Sequence, residues 1–156
     1  MDVPSRIHFY SAVTGVSFEL PPGFEAGAQD ERSAQYEWRD EDDDQVLARV
    51  VVQQMDVGAA AVRTVAEAFA AADGDLVEER LAVIDDCPTA TVVVHLPHGV
   101  RGSTPVTGPG GDDLVAHFTA VEFSGAVRTV AAFAPWADRD RWIPVFDEAV
   151  ASCRFL

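Results

Sequence analysis

The chain has 156 residues, and 48% of them are hydrophobic, which is enough to build one sizeable core, so we expect residues 1–156 to form a single domain. Its formal net charge is -15, and its 11 basic residues are all arginines because lysine is absent. Such an acidic surface repels nucleic-acid phosphates and anionic lipid headgroups. The lack of lysine excludes a Walker-type phosphate lysine and a Schiff-base lysine.

The first residues do not follow the pattern of a signal peptide, and no stretch approaches the length of a membrane span. Cys87 and Cys153 have neither metal-ligand spacing nor a local pairing pattern, so we expect buried thiols rather than a disulfide. These features predict a cytoplasmic protein without stable membrane anchoring. The composition, with no lysine or asparagine, is typical of a GC-rich bacterial genome.

Apolar, β-prone runs predict strands in the first third of the chain. The expected strands are 7–13, 16–20, a third around Tyr36 and Trp38, and 46–55. The first two form a hairpin that ends at Pro21 and Pro22, because proline cannot donate to a ladder. An acidic run at 40–44 connects the third strand to the fourth.

The pattern then changes to helical spacing over 61–73, where Val62, Val65 and Phe69 share one face and Gly74 ends the helix. Further segments follow in order: strand 76–84, a turn at 85–88, strand 91–96, a glycine- and proline-rich loop at 98–111, and a hairpin of strands 114–123 and 126–133. A closing helix carries Trp142, Phe146 and Val150 on one face. Because Pro144 is tolerated only in the first turn, we expect this helix over 143–153.

Adjacent hairpins, one helix between them and one after them indicate an α+β fold. We expect a largely antiparallel sheet of about six to eight strands with two main helices packed on it. Apolar residues on both faces of strands 91–96 and 114–123 allow two arrangements. Either helices cover both faces of the sheet, or one apolar face is left open as a groove for a partner.

Three short patterns resemble the superfamily of the photosystem II extrinsic protein PsbP and the Ran-binding protein Mog. They are the strand and turn GVSFELPPGF at 15–24, the turn and small-residue strand start at 85–90, and the final helix that ends in Ser152 before Phe155. The superfamily also includes LpqN-type lipoproteins and Eag-type effector chaperones. The resemblance implies the PsbP-like α/β sandwich and, through its chaperone members, binding to another protein. The chain departs from the pattern at Cys87-Pro88, where glycine is common, and lacks a lipobox.

The histidines provide an incomplete metal site. His95 and His98 form an H-x-x-H pair, but two further ligands would have to come from elsewhere, such as His117 or the acidic run. The run at 40–44 has no glycine or distal glutamate at the spacing of a calcium loop. We therefore expect no metal.

No nucleotide site or activated nucleophile is predicted. The loop at 99–111 contains one cation, Arg101, and no G-K-[ST] sequence, so it lacks the charge to hold a phosphate. Ser103 lacks the G-x-S-x-G setting of a hydrolase, and Asp85 and Asp86 beside Cys87 oppose formation of a thiolate. We expect no cofactor and no catalytic residue.

The remaining candidate is an aromatic surface with an acidic rim, an arrangement that interfaces often have. The predicted partner-binding residues are Tyr36, Trp38, Asp42, Asp43, Arg49 and Gln53. The alternative is that both rings cap the core and the acidic residues only solvate a turn.

Our leading hypothesis is a non-enzymatic protein-binding, adaptor or chaperone-like domain. It would act, as a monomer or homodimer, on another protein, such as a secreted or membrane-associated one, and would not bind nucleic acid. The rival is a small α+β enzyme or small-molecule-binding protein, with His95, His98 or His117 as general base in an apolar pocket. A deep pocket that contains one of these histidines and a carboxylate would favour the rival.

Overall fold

The structure, a computed structural model, describes residues 6–12, 14–39, 45–55, 62–98 and 113–155. The strands are β1 Ile7–Ser11, β2 Val16–Leu20, β3 Phe24–Gln29, β4 Ser33–Arg39, β5 Val46–Met55, β6 Asp75–Ile84, β7 Cys87–Leu96, β8 Leu114–Phe123, β9 Ala126–Pro135 and β10 Arg154–Phe155. The helices are α1 Val62–Asp73 and α2 Arg139–Ala151, and a short 3-10 helix at Trp136–Asp138 precedes α2. Within these residues, no helix is long and apolar enough to cross a membrane.

The strands form two antiparallel sheets, which confirms the predicted α+β class with its two helices. The large sheet has seven strands in the order β3-β4-β5-β9-β8-β7-β6. The N-terminal hairpin β1–β2 does not join it, contrary to the expectation of one sheet. Instead β2 pairs with β10, and this small sheet has the order β1-β2-β10.

Different layers cover the two faces of the large sheet, and this explains its strands with apolar residues on both faces. On one face, α2 and β2 share a core cluster with Val93 and Val115. On the other face, α1 packs against Val92 and Ala116, which are the next residues along the same strands. Side chains alternate between the faces of a strand, so β7 and β8 must be apolar at nearly every position to fill both clusters.

Two hairpins of the large sheet, β6–β7 and β8–β9, have two-residue turns, and both turns have the positive φ angles that such turns require. Asp85 and Asp86 have φ angles of 51° and 60°, and Ser124 and Gly125 have 53° and 76°. The predicted turn at 85–88 was too long, because β7 already begins at Cys87. The short turn holds β6 beside β7 over the full length of both strands.

Helix α1 matches the segment predicted from its apolar spacing, and Gly74 follows it directly. A Cβ atom at Gly74 would lie 2.2 Å from Cγ1 of Val94 and 2.9 Å from the carbonyl oxygen of His95. Only glycine allows this close approach, since a backbone oxygen cannot move aside as a flexible side chain can. Gly74 therefore lets the chain pass from α1 into β6 against the sheet.

Helix α2 begins at Arg139, not near residue 143 as predicted, and Pro144 lies inside it. The proline is exposed, and the helix tolerates the loss of one hydrogen bond because Trp142, Phe146 and Val150 are buried against the sheet. Strand β3 was not predicted, because only Phe24 of its six residues is buried. The acidic run at 40–44 and the loop from 99 to 111 lie outside the described residues.

Candidate functional site

Strand β6 forms one edge of the large sheet and is the most exposed strand in the described part of the chain. Nine of its ten residues are exposed, and it pairs only with β7. The large hydrophobic side chains among them are exposed to 52% at Leu76, 54% at Val77, 61% at Leu81 and 70% at Val83. Only Ile7 and Tyr10 add to this group among the described residues, so the exposed apolar surface is concentrated on one strand.

The β6–β7 register places Leu81 and Val83 on the face that α1 covers. Leu81 lies opposite Ala90 and Val83 opposite Pro88, and Ala90 belongs to the cluster beneath α1. Arg63 in the first turn of α1 contacts Glu79 at 3.5 Å. The helix thus begins beside Glu79, and the two apolar side chains that follow on this face extend beyond it.

The opposite face of β6 borders a groove between the sheet and the second half of α2. The groove has a volume of about 430 Å³. Its lining combines apolar and polar side chains from four elements: Arg80, Leu81, Ala82, Ile84, Thr91, His117, Asp147, Val150 and Ala151. The edge strand therefore has accessible apolar surface on both of its faces.

A buried histidine and an aspartate form the polar part of this groove. His117 is 1% exposed, and its Nε2 atom lies 2.7 Å from Oδ1 of Asp147. The same oxygen accepts a hydrogen bond from Nη2 of Arg80 at 2.5 Å. Burial opposes ionisation of Asp147, but the hydrogen bonds from His117 and Arg80 outweigh it and hold the pKa of this carboxyl below its usual value.

The second ring nitrogen of His117, Nδ1, is buried and has no hydrogen-bond partner among the described residues. When Nε2 donates to the ionised Asp147, the neutral ring leaves Nδ1 as a bare acceptor. The hydroxyl of Thr91, which also lines the groove, shares a hydrogen bond of 2.8 Å with the hydroxyl of Thr119 and makes none with His117. The pair orients an imidazole as a catalytic dyad does, but no activated nucleophile accompanies it in the described part of the site.

Neither cysteine supplies such a nucleophile. Burial, together with Asp85 and Asp86, raises the pKa of the Cys87 thiol. Burial raises the pKa of Cys153 to about 12. Both thiols are therefore protonated at neutral pH, and the expectation that both are buried and unpaired is confirmed.

The other two histidines considered as ligands do not join His117. His95 stacks on Trp136, with ring centroids 3.8 Å apart, and its Nε2 atom lies 2.5 Å from Oδ1 of Asp113. His98 is exposed in the turn after β7. No group of three or more histidine, cysteine, aspartate or glutamate side chains within the described ranges is arranged to hold a metal ion.

The two aromatic residues predicted as partner-binding anchors both pack on the core. Tyr36 is only 4% exposed, and its ring centroid lies 4.9 Å from that of Phe9 and 5.0 Å from that of Phe18. Trp38 is half-buried and meets Phe24 and Trp142 edge to face. The small sheet thus covers Tyr36, which leaves this ring no surface for a partner in the structure.

The polar members of the predicted surface lie elsewhere. Arg49 projects from the opposite face of the sheet, where it donates a hydrogen bond of 2.9 Å to the buried Glu37. Gln53 is exposed on that same face, four residues further along β5. Asp42 and Asp43 lie outside the described residues. The structure therefore does not bring the described members of this set together on one face.

The exposed edge of β6 was missed, although the sequence contained a signal for it. Val77, Leu81 and Val83 are spaced like the apolar side of a half-buried strand. The adjacent charges of Glu78, Glu79 and Arg80 are typical of an edge strand instead, since charged residues there discourage pairing with other chains.

Solved structures of similar fold place the chain among known proteins. The yeast Ran-binding protein Mog1p from Saccharomyces cerevisiae superposes with a TM-score of 0.62 at 10% identity, over 96% of this chain and 95% of Mog1p. The cyanobacterial PsbP protein CyanoP from Synechocystis gives 0.57 at 16% identity, over 100% of this chain and 95% of the other. LpqN of Mycobacterium tuberculosis, which is involved in cell envelope biogenesis, gives 0.59 at 10% identity, over 95% and 88%.

No protein family profile matches the sequence. No curated protein has a significantly similar sequence. The likeness therefore rests on the fold, and at these identities it does not transfer a partner or an activity. Since the similarity extends over nearly the whole length of the chain and of all three proteins, the chain has the PsbP-like, Mog-type fold that its sequence patterns resemble.

Proposed function

We propose that this chain is a non-enzymatic protein-binding domain that acts through the exposed edge strand β6. The observation that carries the proposal is the concentration of four exposed apolar side chains on β6, between 52% and 70% exposed. An exposed apolar strand edge is a liability unless another molecule covers it. Mog1p is a Ran-binding protein, and its activity adds support because it shows that a protein of this fold can recognise another protein. Ran binding itself is a property of Mog1p and is not proposed for this chain.

Within protein binding, the more specific role that we propose is that of an adaptor or chaperone-like domain. A chaperone needs an apolar surface that a client covers, and the surface on β6 provides one. The two buried, unpaired thiols support the expected cytoplasmic location, where reduced cysteines are normal.

The test is capture of partners from the organism that encodes the chain, with matched variants. Leu81→Thr with Val83→Thr removes apolar surface from β6 and keeps residues that favour strands. Ala26→Thr with Ala28→Thr introduces the same residue at two exposed positions of β3, the opposite edge of the large sheet, without removing a large apolar side chain. Partner proteins identified by mass spectrometry should decrease about tenfold with the β6 variant and remain with the β3 variant.

Folding must be measured on the same samples. Both variants change exposed side chains, so each should melt within about 2 °C of the parent. If the parent, the β6 variant and the β3 variant are all folded and capture the same partners in equal amounts, β6 is not the binding surface and the proposal is wrong.

A second function, small-molecule binding, is favoured by the groove beside β6. The groove contains His117 and Asp147 beside apolar side chains, which is the combination that the rival hypothesis requires. A fragment screen by NMR tests it against Ala82→Trp, a variant that fills the groove from β6. A small-molecule site predicts fragments that bind the parent and not the variant. Fragments that bind neither protein, or both equally, argue against this function.

A further inference from the structure

The free edge of β6 offers backbone groups as well as apolar side chains. The strand is the last in the seven-stranded sheet, and no described residue pairs with its outer side. A strand edge of this kind carries a row of N–H and C=O groups that an extended peptide can pair with. The last four residues of β6, Leu81 to Ile84, include no charged residue, no proline and no bulge that would prevent such pairing.

The other edge of the large sheet is different. Strand β3 has a register shift between Ala26 and Gln29, and its exposed residues include no large hydrophobic side chain. A bulge on an edge strand hinders the addition of another strand. β6 also has a register shift, between Leu76 and Glu78, but it is regular from Glu78 to Ile84, whereas β3 is regular only from Phe24 to Ala26. Of the two edges, β6 therefore has the longer regular stretch that is open to pairing.

The charges around β6 indicate what can pair with it. Carboxylates lie before this open segment at Glu78 and Glu79, of which Glu79 also contacts Arg63, after it at Asp85 and Asp86, and in the groove at Asp147. The one arginine of the strand, Arg80, already contacts Asp147 and Glu78. We call these carboxylates the acidic surround of β6. Basic residues in an incoming strand would complement its negative charge.

A second copy of the chain fits this surround poorly. Each copy has a formal net charge of -15, so two copies repel each other. The charge favours a basic segment of another protein.

We propose that the partner contributes an extended segment of alternating apolar and basic residues, which adds to β6 as a further antiparallel or parallel strand; this inference rests on the proposed function. Apolar side chains of the segment lie on the α1 face beside Leu81 and Val83. Basic side chains point to the opposite face, towards the mouth of the groove and Asp147. The apolar and basic side chains of the segment lie on opposite faces because successive side chains of a strand point to opposite faces of the sheet.

A peptide of alternating valine and arginine, as long as β6, tests the binding mode. Its control is the same peptide with alternate backbone nitrogens methylated, which retains the side chains and charge but cannot pair fully as a strand. Fluorescence anisotropy at physiological salt should show that methylation weakens binding about tenfold or more. Leu81→Thr with Val83→Thr should weaken binding of the unmethylated peptide, and Ala26→Thr with Ala28→Thr should not.

The outcomes separate this inference from the proposed function. Equal binding of both peptides, or no binding of either, overturns strand addition. The capture experiment can still succeed in that case, and the protein-binding function then stands with another mode of contact. Sedimentation of the parent and the β6 variant at high concentration provides a further check. If the parent forms dimers and the β6 variant does not, the edge binds a second copy of the chain and the inference is overturned.

Discussion

Phe146 lies in the core between α2 and the large sheet, and it is 1% exposed. Its ring stacks on Trp142 and meets His117 edge to face, each at a centroid distance of 6.1 Å. Replacement by alanine would leave a cavity that this packed layer cannot close. We expect Phe146→Ala to lower the free energy of unfolding by about 3–5 kcal/mol, measured by urea titration.

The control is Glu148→Ala in the same helix. The side chain of Glu148 is 66% exposed and contacts Arg6 at 3.2 Å. An exposed ion pair contributes little, so this variant should change the free energy of unfolding by less than about 1 kcal/mol. A similarly small loss for Phe146→Ala would show that the face of α2 is not core.

Asp147 predicts a pH dependence of stability. The pKa of its carboxyl is lowered in the folded chain, because hydrogen bonds from His117 and Arg80 outweigh the opposing effect of burial. A lowered folded pKa stabilises the fold above the unfolded pKa, and the stabilisation is lost as pH falls through the folded value. We expect the advantage of the parent over Asp147→Asn in urea unfolding to be full at neutral pH and to narrow below about pH 4.

A stability difference between the two proteins that stays constant down to pH 2 would contradict this assignment, since the carboxylate would then not be the source. Below pH 4 the free energies of unfolding can be compared only if both proteins still unfold in a single transition.

At the scale of elements, Pro144 is the unusual feature of α2. It is the sixth residue of the helix and has no N–H to donate to the carbonyl of Asp140. Pro144→Ala would restore that hydrogen bond and remove the clash of the ring, although it also frees the unfolded chain. We expect a net gain of about 1 kcal/mol or more, seen as a higher melting temperature. A lower melting temperature would show that the proline ring contributes packing that outweighs the missing bond.

The sequence was informative where local pattern decides the structure. β5 and β8 have the predicted bounds because their apolar runs end in clear breaks, and α1 follows its helical spacing. Helix α2 begins earlier than predicted, because burial of Trp142 and Phe146 outweighs the local cost of Pro144. Tertiary contacts override local propensity in this way.

The candidate site was harder to predict, because exposure depends on which layer covers each face. Tyr36 and Val83 occupy apolar strand positions of the same kind. The small sheet, through Phe9 and Phe18, buries Tyr36, whereas α1 begins beside Glu79 and does not cover Val83. The order of strands in the sheet decides both outcomes, and local alternation contains no information on that order.

At the scale of the whole molecule, charge is the dominant feature. The chain has 26 acidic and 11 basic residues, so most carboxylates cannot pair with an arginine at the same time. The resulting field attracts basic partners and speeds their association, in agreement with the acidic surround of β6. The same field makes the folded chain repel itself, because folding brings the carboxylates closer together.

This self-repulsion predicts that salt stabilises the fold. The screening length falls from about 30 Å at 0.01 M to about 3 Å at 1 M ionic strength, so sodium chloride should weaken repulsion across the whole surface. We expect the melting temperature to rise by about 3 °C or more between 0.01 M and 0.5 M salt, followed by calorimetry.

A charge-reduced variant separates this effect from other actions of salt. Glu25, Glu31 and Glu122 are exposed, and replacing all three by glutamine lowers the net charge from -15 to -12, since each change removes one negative charge. The variant should melt at a higher temperature than the parent in dilute buffer, and its melting temperature should rise less with salt. If parent and variant respond to salt equally, charge repulsion is not the cause, because only the number of surface carboxylates differs between them.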